Sequence, residues 1–174
     1  MVNMKRCLIL VCVCILLTGC MANPYRTGIK SLEDGEYSKA VEEFTEAVDK
    51  EKNLADSYRG LGIALWEEKE YVRAYEAFEH ALEQGTEKTA TIYGLMGNCA
   101  MQAEKYEEAV NCYETGLAMT DMSDELKKEM EYNLIAAYEY SGDIEKAKES
   151  LLAYIEKYPD DESAKREAEF LETR

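Results

Sequence analysis

Residues 55–85, ADSYRGLGIALWEEKEYVRAYEAFEHALEQG, predict two amphipathic helices that pack against each other. In the second helix Ala74, Phe78 and Ala81 fall at i, i+4 and i+7, so they share one face. The matching face of the first helix carries Leu61, Gly62 and Leu65. Small residues let the two backbones approach closely, and the Phe78 ring fills the space between neighbouring hairpins. A single hairpin of this kind has no core of its own and needs copies of itself.

The rest of the chain supplies those copies, which appear when the sequence is slid along itself. Upstream by 34 residues, the same places are held by Gly28, Tyr37, Ala40, Phe44 and Ala47. Downstream by 35 residues, they are held by Met96-Gly97, Tyr106, Ala109, Tyr113 and Gly116. A further 38 residues on, they are held by Leu134-Ile135, Ile144, Ala147, Leu151 and Tyr154. The pattern therefore predicts four similar helix pairs.

This pattern resembles the tetratricopeptide repeat family, whose period is about 34 residues with small and aromatic residues at fixed places. The resemblance covers about residues 21–159. It implies an all-α fold, an α-α superhelix of about four helix hairpins plus a C-terminal capping helix. The third copy departs from the pattern with Gly116 in place of alanine. The fourth departs most, with Ile135, Leu151 and Tyr154 at three signature places.

The register divides residues 25–159 into repeats of about 21–54, 55–89, 90–127 and 128–159. Helices are expected near 25–33, 37–50, 54–68, 71–84, 89–103, 106–118, 124–140 and 144–157. Turns are expected at Asp34-Gly35, Gly85 and Gly142-Asp143, and Ser123 is a candidate N-cap. Residues 160–174 should form the charged capping helix. Its cap is Asp160 or Asp161, and its thin apolar stripe is Ala164, Ala168 and Leu171.

The first twenty residues predict an export signal rather than part of the fold. Lys5 and Arg6 precede an apolar run from Cys7 to Leu17, which is too short for the roughly 20 residues of a spanning helix. The run ends in Leu17-Thr18-Gly19-Cys20, which resembles the lipobox of bacterial lipoproteins. The resemblance implies a signal peptide at 1–19, a lipidated Cys20 and a short tether at 20–24. An uncleaved anchor or an ordinary secretory signal are the alternatives.

Localisation follows from the same segment. We expect a lipid-anchored protein on the extracytoplasmic face of the cell membrane. Met21 follows Cys20, where an aspartate commonly marks retention at the inner membrane of two-membrane bacteria, so the outer membrane is a further destination if the cell has one. No cofactor other than the covalent lipid on Cys20 is expected.

The chain is strongly acidic. Removal of Lys5 and Arg6 leaves eighteen basic residues against 36 acidic ones, so the formal charge falls from −16 to −18. Such a surface repels nucleic acid and anionic lipid headgroups. It favours a cationic protein or peptide partner, or simply keeps the chain soluble.

Catalytic and metal-binding chemistry find little support in the sequence. His80 is the single histidine and is expected on an outer, solvated helix face. No Gly-rich phosphate loop, nucleophile with a base, or secluded carboxylate pair is evident. Cys99 and Cys112 have no C-x-x-C spacing and are expected to be free, buried thiols; a disulfide, which is permitted outside the cell, is the alternative. The sequence therefore argues against an enzyme.

The family register implies that the first helix of each pair lines an inner wall. The wall positions are Tyr25, Ile29, Leu32, Arg59, Ile63, Trp66, Asn98, Met101, Gln102, Tyr132, Ala136, Glu139 and Tyr140. From these, the candidate partner-binding set is Tyr25, Arg59, Ile63, Trp66, Asn98, Met101, Tyr132 and Tyr140. Arg59, Trp66 and Tyr132 are of the residue types most often found in binding hot spots. Alternatively, Ile29, Leu32 and Ile63 simply pack on the neighbouring helix.

Some relatives grip a terminal carboxylate with a cluster of Lys, Arg and Asn. Here only Arg59 and Asn98 lie at suitable places, while Gly94 and Ala136 hold others, so that clamp is not expected. The favoured hypothesis is a membrane-anchored scaffold that binds a peptide segment in its groove. The alternative is a structural subunit of an envelope assembly, such as a secretion, pilus or outer-membrane complex, bound through its edges or outer face. A cell-wall enzyme, or an accessory to one, is the weakest.

Overall fold

The computed structural model describes residues 23–120 and 122–172, and the predicted signal peptide and Cys20 lie outside them. Within these residues the chain forms nine helices and no strand. They are α1 (Pro24–Glu33), α2 (Tyr37–Asp49), α3 (Leu54–Glu67), α4 (Tyr71–Glu83), α5 (Ala90–Gln102), α6 (Tyr106–Leu117), α7 (Asp124–Ser141), α8 (Ile144–Lys157) and α9 (Glu162–Glu172). The eight repeat helices begin and end within one residue of their predicted limits, which confirms the periodicity. None of the described helices is both long enough and apolar enough to cross a bilayer.

Each helix packs on the next along the whole series from α1 to α9. The pairs α1–α2, α3–α4, α5–α6 and α7–α8 form the four hairpins, and α9 packs on α8. Buried apolar residues form a succession of clusters along the stack instead of one central core. This confirms the all-α superhelix of four hairpins with a terminal helix.

The contact inside each of the first three hairpins joins an aromatic ring to a glycine backbone. Phe78 lies against Gly62, where an added Cβ would come within 2.8 Å of the ring. Tyr113 lies against Gly97 in the same way, at 2.5 Å. Phe44 of α2 lies between two glycines, Gly28 of α1 in its own hairpin and Gly60 of α3 in the next. Each of these rings is at most 1% exposed, so the glycine is what allows the ring to be buried.

The loops inside the hairpins share one backbone conformation. Gly35 and Gly142 adopt φ values of +73° and +90° as the first helix of their pair ends. Lys69 and Glu104 adopt +62° and +58° at the equivalent places. The left-handed conformation costs an L-residue roughly 1–2 kcal/mol. The two middle hairpins therefore keep the turn geometry without the glycine that would favour it.

The fourth hairpin keeps the stacking although its signature residues differ. Ile135 stands where the first helices of the other pairs have a glycine, and Leu151 stands where the second helices have the aromatic ring. Both are buried. Helix α7 is longer than the other first helices and starts at a Ser123 cap, whose hydroxyl accepts from the Leu126 amide at 3.2 Å. Its Met130 is 1% exposed and occupies the space that a Cβ at Gly116 would take. The glycine of the third copy thus makes room for a methionine of the fourth.

Helix α9 closes the end of the stack through its predicted apolar stripe. Ala164 and Leu171 are buried and Ala168 is partly buried against the cluster of the fourth hairpin. Asp161 is the N-cap, because its Oδ1 accepts from the amides of Ser163 and Ala164, each at 3.2 Å. The Tyr154 hydroxyl also donates to Asp161 Oδ2 at 3.0 Å. The cap of α9 is therefore tied to α8.

The two cysteines of the third hairpin are buried and not joined to each other, as predicted. Burial raises the pKa of the Cys99 thiol to about 12 and that of Cys112 to about 11. Thiolate is the nucleophilic form, so both groups are poor nucleophiles near neutral pH. They act as small packing residues.

The ring–glycine contact predicts a large loss of stability when the ring is removed. Phe78→Ala should lower the free energy of unfolding by about 3–5 kcal/mol, because it leaves a cavity in a fully buried site. Val72→Ala in the same helix is the control, since Val72 is 44% exposed and should cost no more than about 0.5 kcal/mol. Denaturant titration followed by circular dichroism measures both. Similar midpoints for the two variants would contradict the packing described.

Candidate functional site

The first helices of the four pairs, α1, α3, α5 and α7, form one face of the stack, here called the inner face. Direct contacts join α1 to α3 and α5 to α7. Every residue of the candidate partner-binding set lies on one of these four helices. The structure nevertheless separates them into two clefts and a set of packing residues.

Arg59 and Ile63 lie together in a cleft between α3 and α5, here called the α3–α5 cleft. Its volume is about 640 Å³, which falls within the range of small-ligand and peptide side-chain sites. The apolar lining comes from Ile63, Ile92 and Leu95, and the polar lining includes Asp56, Arg59, Thr86, Glu87, Thr89 and Thr91. Apolar surface and hydrogen-bonding groups therefore alternate in one concave site.

Charges in this cleft are nearly balanced and accessible. The Arg59 guanidinium lies 3.1 Å from Asp56 Oδ1, and both side chains are about half exposed. Exposed pairs of this kind contribute little stability, so Arg59 can exchange its partner at small cost. Thr89 Oγ1 accepts from the Ile92 amide at 3.3 Å and caps α5, whereas Thr91 is exposed.

Sequence reasoning missed several residues of this cleft. Thr91 and Leu95 lie seven and three positions before Asn98, which puts them on the same face of α5 about two turns and one turn earlier, respectively. This spacing from Asn98 was the feature of the sequence that could have identified Thr91 and Leu95 as inner-face residues. Thr86 and Glu87 belong to the loop before α5, and no helical periodicity could have placed them.

Tyr25, Trp66 and Met101 are half-buried and take part in packing. The Tyr25 ring lies 6.4 Å from that of Phe44, and the Trp66 ring lies 5.1 Å from that of Tyr71. Met101 packs against the cluster that contains Tyr113. Ile29 and Leu32 pack against the cluster around Phe44, as the alternative interpretation supposed. Ile63 packs on the central cluster and also lines the α3–α5 cleft.

Asn98 serves as a polar bridge between three helices. Its Oδ1 accepts from the Tyr113 hydroxyl at 2.6 Å and from Asn133 Nδ2 at 3.2 Å. These bonds join α5 to α6 and α7. They also explain how the third hairpin buries a tyrosine where the first two bury phenylalanine, because a buried hydroxyl needs a partner. Burial raises the pKa of the Tyr113 phenol, which therefore stays a donor.

Tyr132 and Tyr140 lie in a second site, between α7 and α9. Two adjoining clefts of about 480 Å³ and 380 Å³ share Tyr132 in their lining. The Tyr132 ring packs on Tyr154 with centroids 5.5 Å apart. Tyr140 is 64% exposed and stacks on Tyr106 at 5.2 Å. Helix α9 contributes Glu167 and Phe170 to this site, although the sequence suggested only a charged, solvated face there.

Metal-ligand side chains do not cluster within the residues described. No group of three or more His, Cys, Asp or Glu side chains among them could hold a metal ion. His80 is exposed, as expected, and its Nδ1 lies 3.0 Å from Glu83. The notable features of the inner face are therefore its two clefts.

The fold is similar to several solved repeat structures. YrrB, described as a TPR protein with an unusual peptide-binding site, superposes with a TM-score of 0.71 at 18% identity, covering 85% of this chain and 74% of that one. MamA from Desulfovibrio magneticus RS-1 superposes with 0.70 at 22% identity, covering 86% and 82%. Another MamA structure gives 0.71 at 17% identity, covering 87% and 82%. At such identities the likeness is one of fold. No curated protein matches the chain significantly.

Family membership comes from sequence. One family model of the tetratricopeptide repeat matches residues 53–122, and a second model of the same repeat matches residues 95–162. Together they span more than half of the chain, and they overlap on the third hairpin. The helix pairs, the ring–glycine contacts and these matches agree, and the chain belongs to the tetratricopeptide repeat family.

Proposed function

We propose that this protein is a membrane-anchored adaptor that holds a partner protein by a peptide segment lying across its inner face. The α3–α5 cleft carries the proposal. It combines a partly apolar lining with an exposed arginine and threonine hydroxyls, which suits an extended segment with mixed side chains. YrrB, a protein of similar fold, is described as having a peptide-binding site, and this supports the class of partner.

The cleft favours a peptide over a small metabolite. Its polar groups are spread along two helices and the α4–α5 loop, and they do not converge on one point. A main chain crossing the cleft could place successive side chains against Ile63 and Leu95 and bond to the threonines between them. Apolar contacts bordered by polar groups are typical of protein interfaces.

The anchoring part of the proposal rests on the Leu17–Cys20 sequence. A diacylglyceryl group on Cys20 would hold the chain at the bilayer surface, since two acyl chains bind stably where one is marginal. Residues 21–23 separate this cysteine from α1, which begins at Pro24. The first hairpin would then lie close to the membrane, with the α3–α5 cleft farther out.

A charge reversal tests the inner face. Arg59→Glu should abolish a crosslink formed between a partner and a photoreactive residue placed at Thr91, because the cleft would lose its cation. Arg73→Glu is the matched control. Arg73 is also about half exposed and pairs with a carboxylate three residues earlier, but it lies on α4, a second helix of a pair. Crosslinking and mass spectrometry of the full chain in membranes measure the adduct. If Arg73→Glu removes it and Arg59→Glu does not, binding occurs on the outer helices, as a structural subunit of an assembly would require.

The lipid anchor is tested at Cys20. Cys20→Ala should abolish metabolic labelling of the protein by a fatty acid, because the thiol is the attachment point. Once the signal is cleaved, the protein should also leave the membrane pellet. Cys99→Ala removes a buried thiol and should keep the label. Labelling that persists in Cys20→Ala would exclude this anchor.

A further inference from the structure

The two clefts between α7 and α9 form one continuous surface, here called the α7–α9 groove. Tyr132 belongs to both clefts and lies where they meet. One end is lined by Glu125, Lys128, Glu129 and Asp161, and the other by Glu139, Tyr140, Glu167 and Phe170. The groove is therefore built mainly from α7, the first helix of the fourth pair, and from the terminal helix α9, with Tyr154 of α8 at one end.

The charge of this groove is one-sided. Its lining contains five carboxylates and a single ammonium group, that of Lys128. That ammonium lies 3.3 Å from Asp161 Oδ2 and 5.1 Å from the centre of the Tyr158 ring. The one cation is thus engaged at one end of the groove, and the lining as a whole is negative.

Aromatic rings lie among these carboxylates. Tyr140 is 64% exposed and Phe170 is 48% exposed, while Tyr132 is half-buried. Ring faces attract cations, more strongly where the cation is partly desolvated. Burial raises the pKa of the Tyr132 phenol, and the carboxylates of Glu167, Asp161 and Glu139 raise it further. Three of the groove's carboxylates thus act on the Tyr132 phenol, where the two clefts meet, against a smaller opposing effect from Arg166.

We propose that the α7–α9 groove is a subsite for a basic stretch of the partner, in which a lysine or arginine side chain lies against the aromatic rings and between the carboxylates. This rests on the proposed adaptor function and adds a chemical class to the partner. The α3–α5 cleft is nearly neutral by comparison, since its lining sets Arg59, paired with Asp56, against only two carboxylates, Asp56 and Glu87. The two sites would bind different parts of one segment.

Charge complementarity selects this occupant over others. A nucleic acid or an anionic lipid surface would bring phosphates against the groove's carboxylates, which repel them. A second copy of this chain carries a formal charge of −16 and would be repelled as a whole. A basic peptide gains contacts with both the carboxylates and the rings.

Two glutamates of α9 allow a matched test. Glu167 lines the groove, whereas Glu169 is exposed and lies outside the groove lining. Glu167→Gln and Glu169→Gln change the net charge equally, so they separate a defined site from general attraction. The probe is a synthetic peptide of alternating lysine and glycine, titrated by calorimetry at low salt into the full chain in detergent. Circular dichroism checks that each variant is folded.

The proposal predicts that Glu167→Gln weakens binding of this peptide by about fivefold, as expected for one lost charge contact, and that Glu169→Gln leaves it unchanged. Tyr140→Ser should also weaken it. Equal losses in both glutamate variants, or no binding to the unaltered chain, would overturn the proposal.

The Thr91 crosslink is an independent readout. If it persists while the peptide fails to bind, only this inference is wrong, and if the crosslink is absent the adaptor function itself fails.

Discussion

The structure depends on the contact between an aromatic ring of one helix and the bare backbone of a glycine in its partner. The ring can lie this close to the helix backbone only because no Cβ intervenes, and it then becomes almost completely buried. Phe44 shows the contact most fully, because it touches glycines of two successive hairpins. The same contact therefore closes a hairpin and joins it to the next, which is how a chain without a central core becomes one stack.

This arrangement also explains where interaction surfaces arise. Because the rings and small residues satisfy much of the packing between helices, parts of the inner face, such as the α3–α5 cleft, are left for other tasks. Ile63 serves both purposes, since it packs on the central cluster and lines the α3–α5 cleft. After the fourth hairpin, α9 packs on α8. It covers the last apolar cluster with Leu171 and adds Glu167 and Phe170 to the α7–α9 groove.

The periodicity of the sequence was sufficient to predict the helices, because spacing and residue size determine them locally. It was not sufficient for features that depend on a neighbouring hairpin. Gly116 appeared as a departure from the pattern, and its reason lies in Met130 of the following copy. Asn98 was predicted to contact a partner, but its Oδ1 is engaged by two donors within the stack. The α9 lining of the groove was missed because sequence spacing shows which residues share a face and not what that face opposes.

Two glycines of α5, three residues apart, allow the central contact to be tested directly. An added Cβ at Gly97 would lie 2.5 Å from Tyr113 Cε1, whereas at Gly94 it would meet Met130 Sδ at 3.4 Å. Alanine is favoured over glycine in a helix interior by about 0.8–1 kcal/mol. The free energy of unfolding should therefore fall by about 1–3 kcal/mol in Gly97→Ala, from overpacking, and stay level or rise in Gly94→Ala. If both substitutions stabilise the protein equally, the ring–glycine contact does not govern this fold.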